Sequence, residues 1–137
     1  MFASSGIIHY DTSDGNRVTV SVDQAIGDYY YCLIPKYLRV LKPRWKAHVT
    51  VVSPIDEIVY PERWGAQEGQ VANFIYEHEI FYEKGFWWFN LFSVEMENIR
   101  KELGMHCKSR ITVPPEGYVK AFHCTVGKTW IDNLEEL

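Results

Sequence analysis

Two short stretches place the same pair of reactive side chains: AHVTV at 47–51 and FHCTV at 122–126 both carry threonine two places after histidine. Six of 137 residues are Thr, so a given His has Thr at that spacing with a chance of about 4%, and two of the five histidines sharing it by accident comes to roughly 2%. Apolar neighbours on both sides lower the figure further, so the repetition is a signal. Val49, Val51 and Val52 surround His48, and Phe122, Cys124 and Val126 surround His123. This β-branched and aromatic enrichment with period-two alternation predicts a strand at each place. Successive strand side chains face opposite ways, so His48 and Thr50 share one face against Val49 and Val51. His123 and Thr125 likewise oppose Cys124 and Val126. Each motif offers an imidazole and a hydroxyl roughly 7 Å apart at the backbone.

Two such half-sites facing each other suit phosphodiester cleavage. That reaction needs one group to take a proton from the attacking oxygen, another to give one to the leaving oxygen, and donors for the non-bridging oxygens. Histidine serves both proton roles, because an ordinary imidazole has both forms accessible at neutral pH. Threonine hydroxyls serve the oxygens.

The quartets His48-Val49-Thr50-Val51 and His123-Cys124-Thr125-Val126 resemble the paired H-x-T-x signatures of the two-histidine (2H) phosphoesterase superfamily, which includes LigT-like RNA ligase/cyclic phosphodiesterases. WWFNLFSVEMENIRKELG followed by GYVKAFHCTVGK resembles the family's strand, helix and second-motif strand, so roughly residues 74–130 carry most of the likeness. The first half matches mainly at AHVTVV. Two departures stand out. Ala47 and Phe122 occupy places where members often have proline, and residues 11–46 show no strong helical period where members have a helix, so a remodelled N-terminal lobe is expected.

The resemblance implies a strand-rich α+β fold with few helices, spanning 1–137 as a single bilobal 2H phosphoesterase-like domain. Two similar lobes of antiparallel strands, each with a helix, would be related by a pseudo-twofold axis around a central cleft. It further implies a metal-independent phosphodiesterase without a cofactor. One His activates water, the other protonates the departing ribose oxygen, and the Thr pair binds the non-bridging oxygens. His123 is assigned as base and His48 as acid for hydrolysis, roles that exchange in the reverse direction. The implied substrate is a nucleotide phosphodiester, a cyclic phosphate above all: a 2′,3′-cyclic phosphate at an RNA end, or a cyclic oligonucleotide signal of the kind that viral members destroy to blunt host immunity. The same four residues would serve 2′–5′ RNA ligation or its reverse. From a different class, a non-catalytic binder of RNA ends or cyclic nucleotides would keep such a cleft. Paired histidines favour the enzyme, since binding alone needs cations more than an acid and a base.

Further substrate contacts are sought near the motifs. The run KYLRVLKPRWK (36–46) interleaves cations with aromatics, so Arg44 and Lys46 are candidates for phosphate and base contacts. The same run equally suits a solvated segment whose long stems cover apolar neighbours. Lys128, two places after Val126, is a candidate for a phosphate oxygen or a plain surface lysine, and Tyr118 opens the second motif strand. His106-Cys107 and His123-Cys124 lack the spacing of metal ligands, and adjacent strand residues face opposite ways, so no metal is expected. His78, among acidic residues in FIYEHEIFY, reads as a surface residue, and His9 has no recognisable companion. Most of Tyr29, Tyr30, Tyr31, Trp87, Trp88 and Trp130 are expected in the core.

The remaining elements must position these groups. GIIHY (6–10) and RVTVSV (17–22) flank TSDGN, whose Asp-Gly pair predicts a hairpin turn. DYYYCLI (28–34) reads as a third strand. KYLRVLK between Pro35 and Pro43 reads as a short helical turn or an extended segment. SPIDEIVYPERWGAQEGQ (53–70) reads as a long surface connection. NFIYEHEIFYEKGFWWFNLFS holds two aromatic-rich runs around Glu-Lys-Gly and predicts a second hairpin. A helix starts at the N-cap Ser93 and stops at Gly104, with Met96, Ile99 and Leu103 as its apolar stripe. ITVPPEG (111–117) is a loop, and no repeat beyond the doubled motif is visible.

At 47% hydrophobic, 137 residues suffice for one core. No apolar run approaches the ~18 residues of a membrane span, and MFASSGIIHYD lacks the order of a signal peptide. Cys32, Cys107 and Cys124 are an odd set without framework spacing, which suits a reducing, cytoplasmic setting. A formal net charge of −4 argues against bulk nucleic-acid coating, while leaving room for a small polyanion in a local basic cleft.

Overall fold

The computed structural model describes residues 1–107, 109 and 112–129; Ile111 and Trp130, read above as loop and core, lie outside the described residues. Among the described residues the strands are β1 (Phe2–Asp11), β2 (Arg17–Ser21), β3 (His48–Val52), β4 (Val71–Tyr76), β5 (Phe81–Glu83), β6 (Phe86–Phe92) and β7 (Phe122–Lys128). The α-helices are α1 (Gln24–Leu33) and α2 (Val94–Glu102). Every strand pairing is antiparallel, in the order β4-β1-β2-β3-β7-β6-β5. A further β4–β6 pairing closes six of the strands into a barrel, with β5 added outside it on β6. The fold is strand-rich α+β. None of the described helices is long and apolar enough to cross a membrane.

An internal repeat is present after all, in topology rather than sequence. The first half runs β1, β2, α1, β3 and the second β4, β6, α2, β7, with the short β5 inserted. Exchanging β1 with β4, β2 with β6 and β3 with β7 maps the barrel order onto itself. The irregularities repeat as well. The β2–β3 register skips Val51, and the β6–β7 register skips Val126, so each motif strand has a bulge three residues after its histidine. Nothing in the residue types enforces this likeness, because period-two apolar alternation is met by many sequences.

The stretch read as a third strand, 28–34, is instead the end of α1. Asp23 caps the helix, its side chain accepting from the Ala25 N–H at 2.9 Å. The tyrosine run has strand propensity, but its members face three ways: Tyr29 is exposed, Tyr30 buried and Tyr31 intermediate. Gly27, Tyr30 and Ile34 are buried at helical spacing, and the Tyr30 ring stacks on Phe89 with centroids 4.1 Å apart. Tertiary packing thus overrides local preference, and the helix absent from the pattern of 11–46 exists.

Other elements follow the sequence closely. The β1–β2 hairpin forms, and Ser93 caps α2 by accepting from Met96 N–H. Met96, Ile99 and Leu103 are buried, and Gly104 follows at φ 78° in the left-handed region. The second hairpin is β5–β6 only, turning at Lys84 and Gly85; NFIY belongs to β4, which pairs with β1. Segment 53–70 is a connection with one 3₁₀ turn at Pro61–Arg63. KYLRVLK combines both alternatives, a 3₁₀ turn at Lys36–Leu38 and then an extended piece in which Leu41 bridges to Lys128.

Candidate functional site

The two motif strands meet at the centre of the barrel's twofold pattern, where Val49 lies opposite Cys124 in an antiparallel pair. One residue further in each direction, that register sets His48 against Thr125 and Thr50 against His123. All four side chains fall on the same face, the histidines on one diagonal at about 7–8 Å and the threonines on the other. Val49, Val51, Cys124 and Val126 take the opposite face and are buried in the core. The four motif residues line one open cleft of about 360 Å³, joined by Pro43, Trp45, Lys120, Ala121 and Phe122.

Each histidine is held by its own neighbours. The Nδ1 of His48 lies 2.8 Å from the Lys46 carbonyl oxygen. A carbonyl can only accept, so Nδ1 carries the hydrogen and Nε2 is left for exchange with a ligand. His123 packs against Trp88, with ring centroids 5.0 Å apart. Trp88 Nε1–H donates to Asn90 Oδ1 at 3.1 Å, and Asn90 Nδ2–H donates to Glu77 at 3.3 Å and to Thr112 Oγ1 at 2.9 Å. Asn90 is fully buried and pairs across the strands with His123, so this network fixes the wall behind the imidazole.

Helix α2 grips both motif strands with buried charges. Arg100 donates to the Val51 carbonyl at 2.8 Å and to the His106 carbonyl at 3.0 Å, with the Asp56 carboxylate 3.6 Å away. Val51 is the bulged residue of β3, and a bulge removes a residue from the ladder, so the guanidinium supplies a partner that the sheet does not. One turn earlier, Glu97 accepts from the backbone N–H groups of Val119 and Lys120 at 2.9 and 3.2 Å. That contact fixes the entry to β7 and brings Lys120 to the cleft, where its Nζ lies 5.6 Å from the Phe122 ring. From α1, the Gln24 side chain accepts from the Ala47 N–H at 2.9 Å, just before His48.

Compared with protein-family models, curated proteins and solved structures, the chain matches none of them.

His48, Thr50, His123 and Thr125 come together. Arg44 and Lys46 are exposed on either side of Trp45, and what Lys46 gives His48 is its carbonyl. Lys128 lies outside the cleft lining, its Nζ 5.6 Å above Phe86, and Tyr118 packs 5.9 Å from Phe92. Trp45, 72% exposed, and Lys120 join the lining without being among the residues that the sequence points to by type and spacing. The signal for both was proximity: each stands three residues before a motif histidine. His78 is exposed, and His9 lies 3.2 Å from Glu68 on the surface.

Among the described residues no three His, Cys, Asp or Glu side chains converge as a ligand set. Cys124 faces the core, where burial pushes its thiol up to about 12 against a weaker opposing backbone contact at His48, so near neutral pH it is neither a thiolate ligand nor a nucleophile. Among the described residues the cleft lining supplies two imidazoles, two hydroxyls, one ammonium and an exposed indole, and no carboxylate.

Proposed function

We propose that this protein is a 2H-type phosphodiesterase that hydrolyses a cyclic phosphate of a nucleotide or RNA end, with the two β–β–α–β halves corresponding to the two lobes of that fold. The observation that carries the reading is the register that faces each motif's histidine with the other motif's threonine. A phosphate above that face would have an imidazole on either side along one diagonal and a hydroxyl on either side along the other. Water attacking phosphorus would lose its proton to His123, the bond from phosphorus to a ribose oxygen would break, and His48 Nε2–H would protonate that oxygen. Thr50, Thr125 and Lys120 would hold the non-bridging oxygens. Trp45 would stack on the base.

The test is turnover of a nucleoside 2′,3′-cyclic phosphate by the wild type and by His48→Ala and His123→Ala. Each substitution is expected to lower kcat roughly 10²–10⁴-fold with substrate binding retained, because each removes one proton-transfer partner. Full activity in either variant would remove the two-histidine mechanism.

A further inference from the structure

We propose that the hollow beside the cleft, built by Lys36, Arg39 and Lys42, is an anion subsite for a second phosphate of the substrate, which makes that substrate an oligonucleotide rather than a mononucleotide. The claim rests on the phosphodiesterase reading and extends it away from the reacting phosphate. The hollow measures about 390 Å³ and lies between the end of α1 and the segment leading to β3. A smaller hollow connects it to the cleft, sharing Tyr31 and Lys42 with the one and Pro43, Trp45 and Thr125 with the other. The three hollows therefore adjoin one another, from Thr125 past the exposed Trp45 and the Asp28 carboxylate to three cations.

The charge distribution gives the hollows their ligand chemistry. The chain carries a net charge of −4, yet residues 36–46 hold five Lys and Arg with no Asp or Glu. Such a local inversion attracts a polyanion that the rest of the surface repels. Lys42 is partly committed, since its ammonium lies 3.4 Å from Asp28 and 5.3 Å from the Tyr31 ring. Among the described residues, neither Lys36 nor Arg39 forms an ion pair with a carboxylate, so these two lead the contact.

The cations sit on a fixed segment rather than a loose loop. Tyr31 O–H donates to the Val40 carbonyl, and Leu41 and Lys128 exchange backbone hydrogen bonds of 3.0 and 2.9 Å. Gly127 permits the approach, because a Cβ there would stand 2.6 Å from Val40 Cγ1. Arg39 is held at φ 53°, a left-handed conformation that a non-glycine residue adopts at some cost. The basic segment is thereby tied directly to the second motif strand.

The experiment compares three probes on the purified full chain: a nucleoside 2′,3′-cyclic phosphate, an RNA pentanucleotide ending in a 2′,3′-cyclic phosphate, and a cyclic 3′,5′-linked trinucleotide. The variant is Lys36→Ala with Arg39→Gly, glycine being at ease in the left-handed region. For one or both oligonucleotides, the ratio of kcat/KM to that of the cyclic mononucleotide is expected to fall roughly tenfold. The slope of log kcat/KM against log salt should flatten by about 0.7, as for one lost phosphate contact on a single strand. Whichever oligonucleotide shows the loss identifies the source of the second phosphate. An unchanged ratio and slope with both, in a variant of unaltered melting temperature, would overturn the subsite and leave the phosphodiesterase standing. If no probe is turned over, anisotropy of the fluorescently labelled pentanucleotide and trinucleotide decides. Binding that the double variant weakens roughly tenfold supports the subsite while the enzymatic reading fails, and binding that it leaves unchanged, or no binding, overturns the subsite too.

Discussion

Helix α1 meets the barrel with glycine and aromatic surface, whereas α2 meets it with two buried charges. In the first half, Gly27 lies close to Ala47, Tyr30 stacks on Phe89, and a neutral Gln24 amide holds the backbone just ahead of His48. In the second half, Glu97 and Arg100, only 4% and 6% exposed, each clasp main chain next to a different motif. The halves share topology and even the position of their bulges, but the labour is divided. The second half clasps main chain beside both motif strands with buried charge, whereas the first half holds only its own motif strand, through Gln24, and adds an exposed indole and a basic segment between α1 and β3. A twofold architecture can thus keep its His–Thr pairs symmetric while the supports diverge, because the pairs must converge on one cleft and the supports need only hold them still.

The comparison breaks most visibly at the buried charges. Arg100→Met leaves the Val51 carbonyl without its partner and is expected to cost about 3 kcal/mol in denaturant unfolding, with Glu97→Gln costing roughly 1–2 kcal/mol. The matched change in α1, Tyr30→Phe, removes a single hydrogen bond to the Glu77 carbonyl and should cost about 1 kcal/mol. Equal losses from both helices would refute the division of labour.

Thr50→Val and Thr125→Val probe the symmetric part. Each keeps the side-chain shape and removes a donor, so each should raise the barrier measured by kcat/KM by about 1–3 kcal/mol, with serine restoring much of it. Similar penalties at the two positions would sharpen the twofold account. Valine variants indistinguishable from wild type would make the threonines mere strand formers.

The buried back of β7, set against the exposed end of α1, gives the mildest test. Cys124 has its thiol pushed up to about 12 by burial while Cys32 is exposed, so iodoacetamide at neutral pH should label Cys32 and spare Cys124 in the folded protein. Mass spectrometry of the native chain reads this directly, and early labelling of Cys124 would show that the back of the motif strand is open.

Local pattern was enough to read β3 and the existence of β7 from alternation, α2 from its cap, stripe and terminal glycine, and the shared face of each His-Thr pair from the strand period; β7 however begins at Phe122, and Tyr118, expected to open it, sits in the preceding turn. Local pattern was not enough for α1, because Tyr29, Tyr30 and Tyr31 favour a strand locally and become helical through the packing of Tyr30 on Phe89. Nor could it show the bulges, which depend on pairing with β2 and β6, or the barrel closure through β4. Lys120 was hidden for a related reason: its place in the cleft depends on Glu97 gripping the backbone beneath it, a contact 23 residues away in sequence. Arg44, Lys46, Lys128 and Tyr118 stand near the motifs in sequence, and none of the four is in the cleft lining, which depends on contacts across the sheet that local pattern does not carry.

The central claim, that two imidazoles act as base and acid on one phosphate, is tested most directly by kcat/KM against pH for a nucleoside 2′,3′-cyclic phosphate, with and without EDTA, in the wild type, His48→Ala and His123→Ala. The base must be neutral and the acid protonated, so the wild type should give a bell-shaped profile. The residual activity of His123→Ala should lose the acidic limb, that of His48→Ala the alkaline limb, and the chelator should change neither. Both limbs persisting in both variants, or activity abolished by EDTA and restored by added metal, would contradict it.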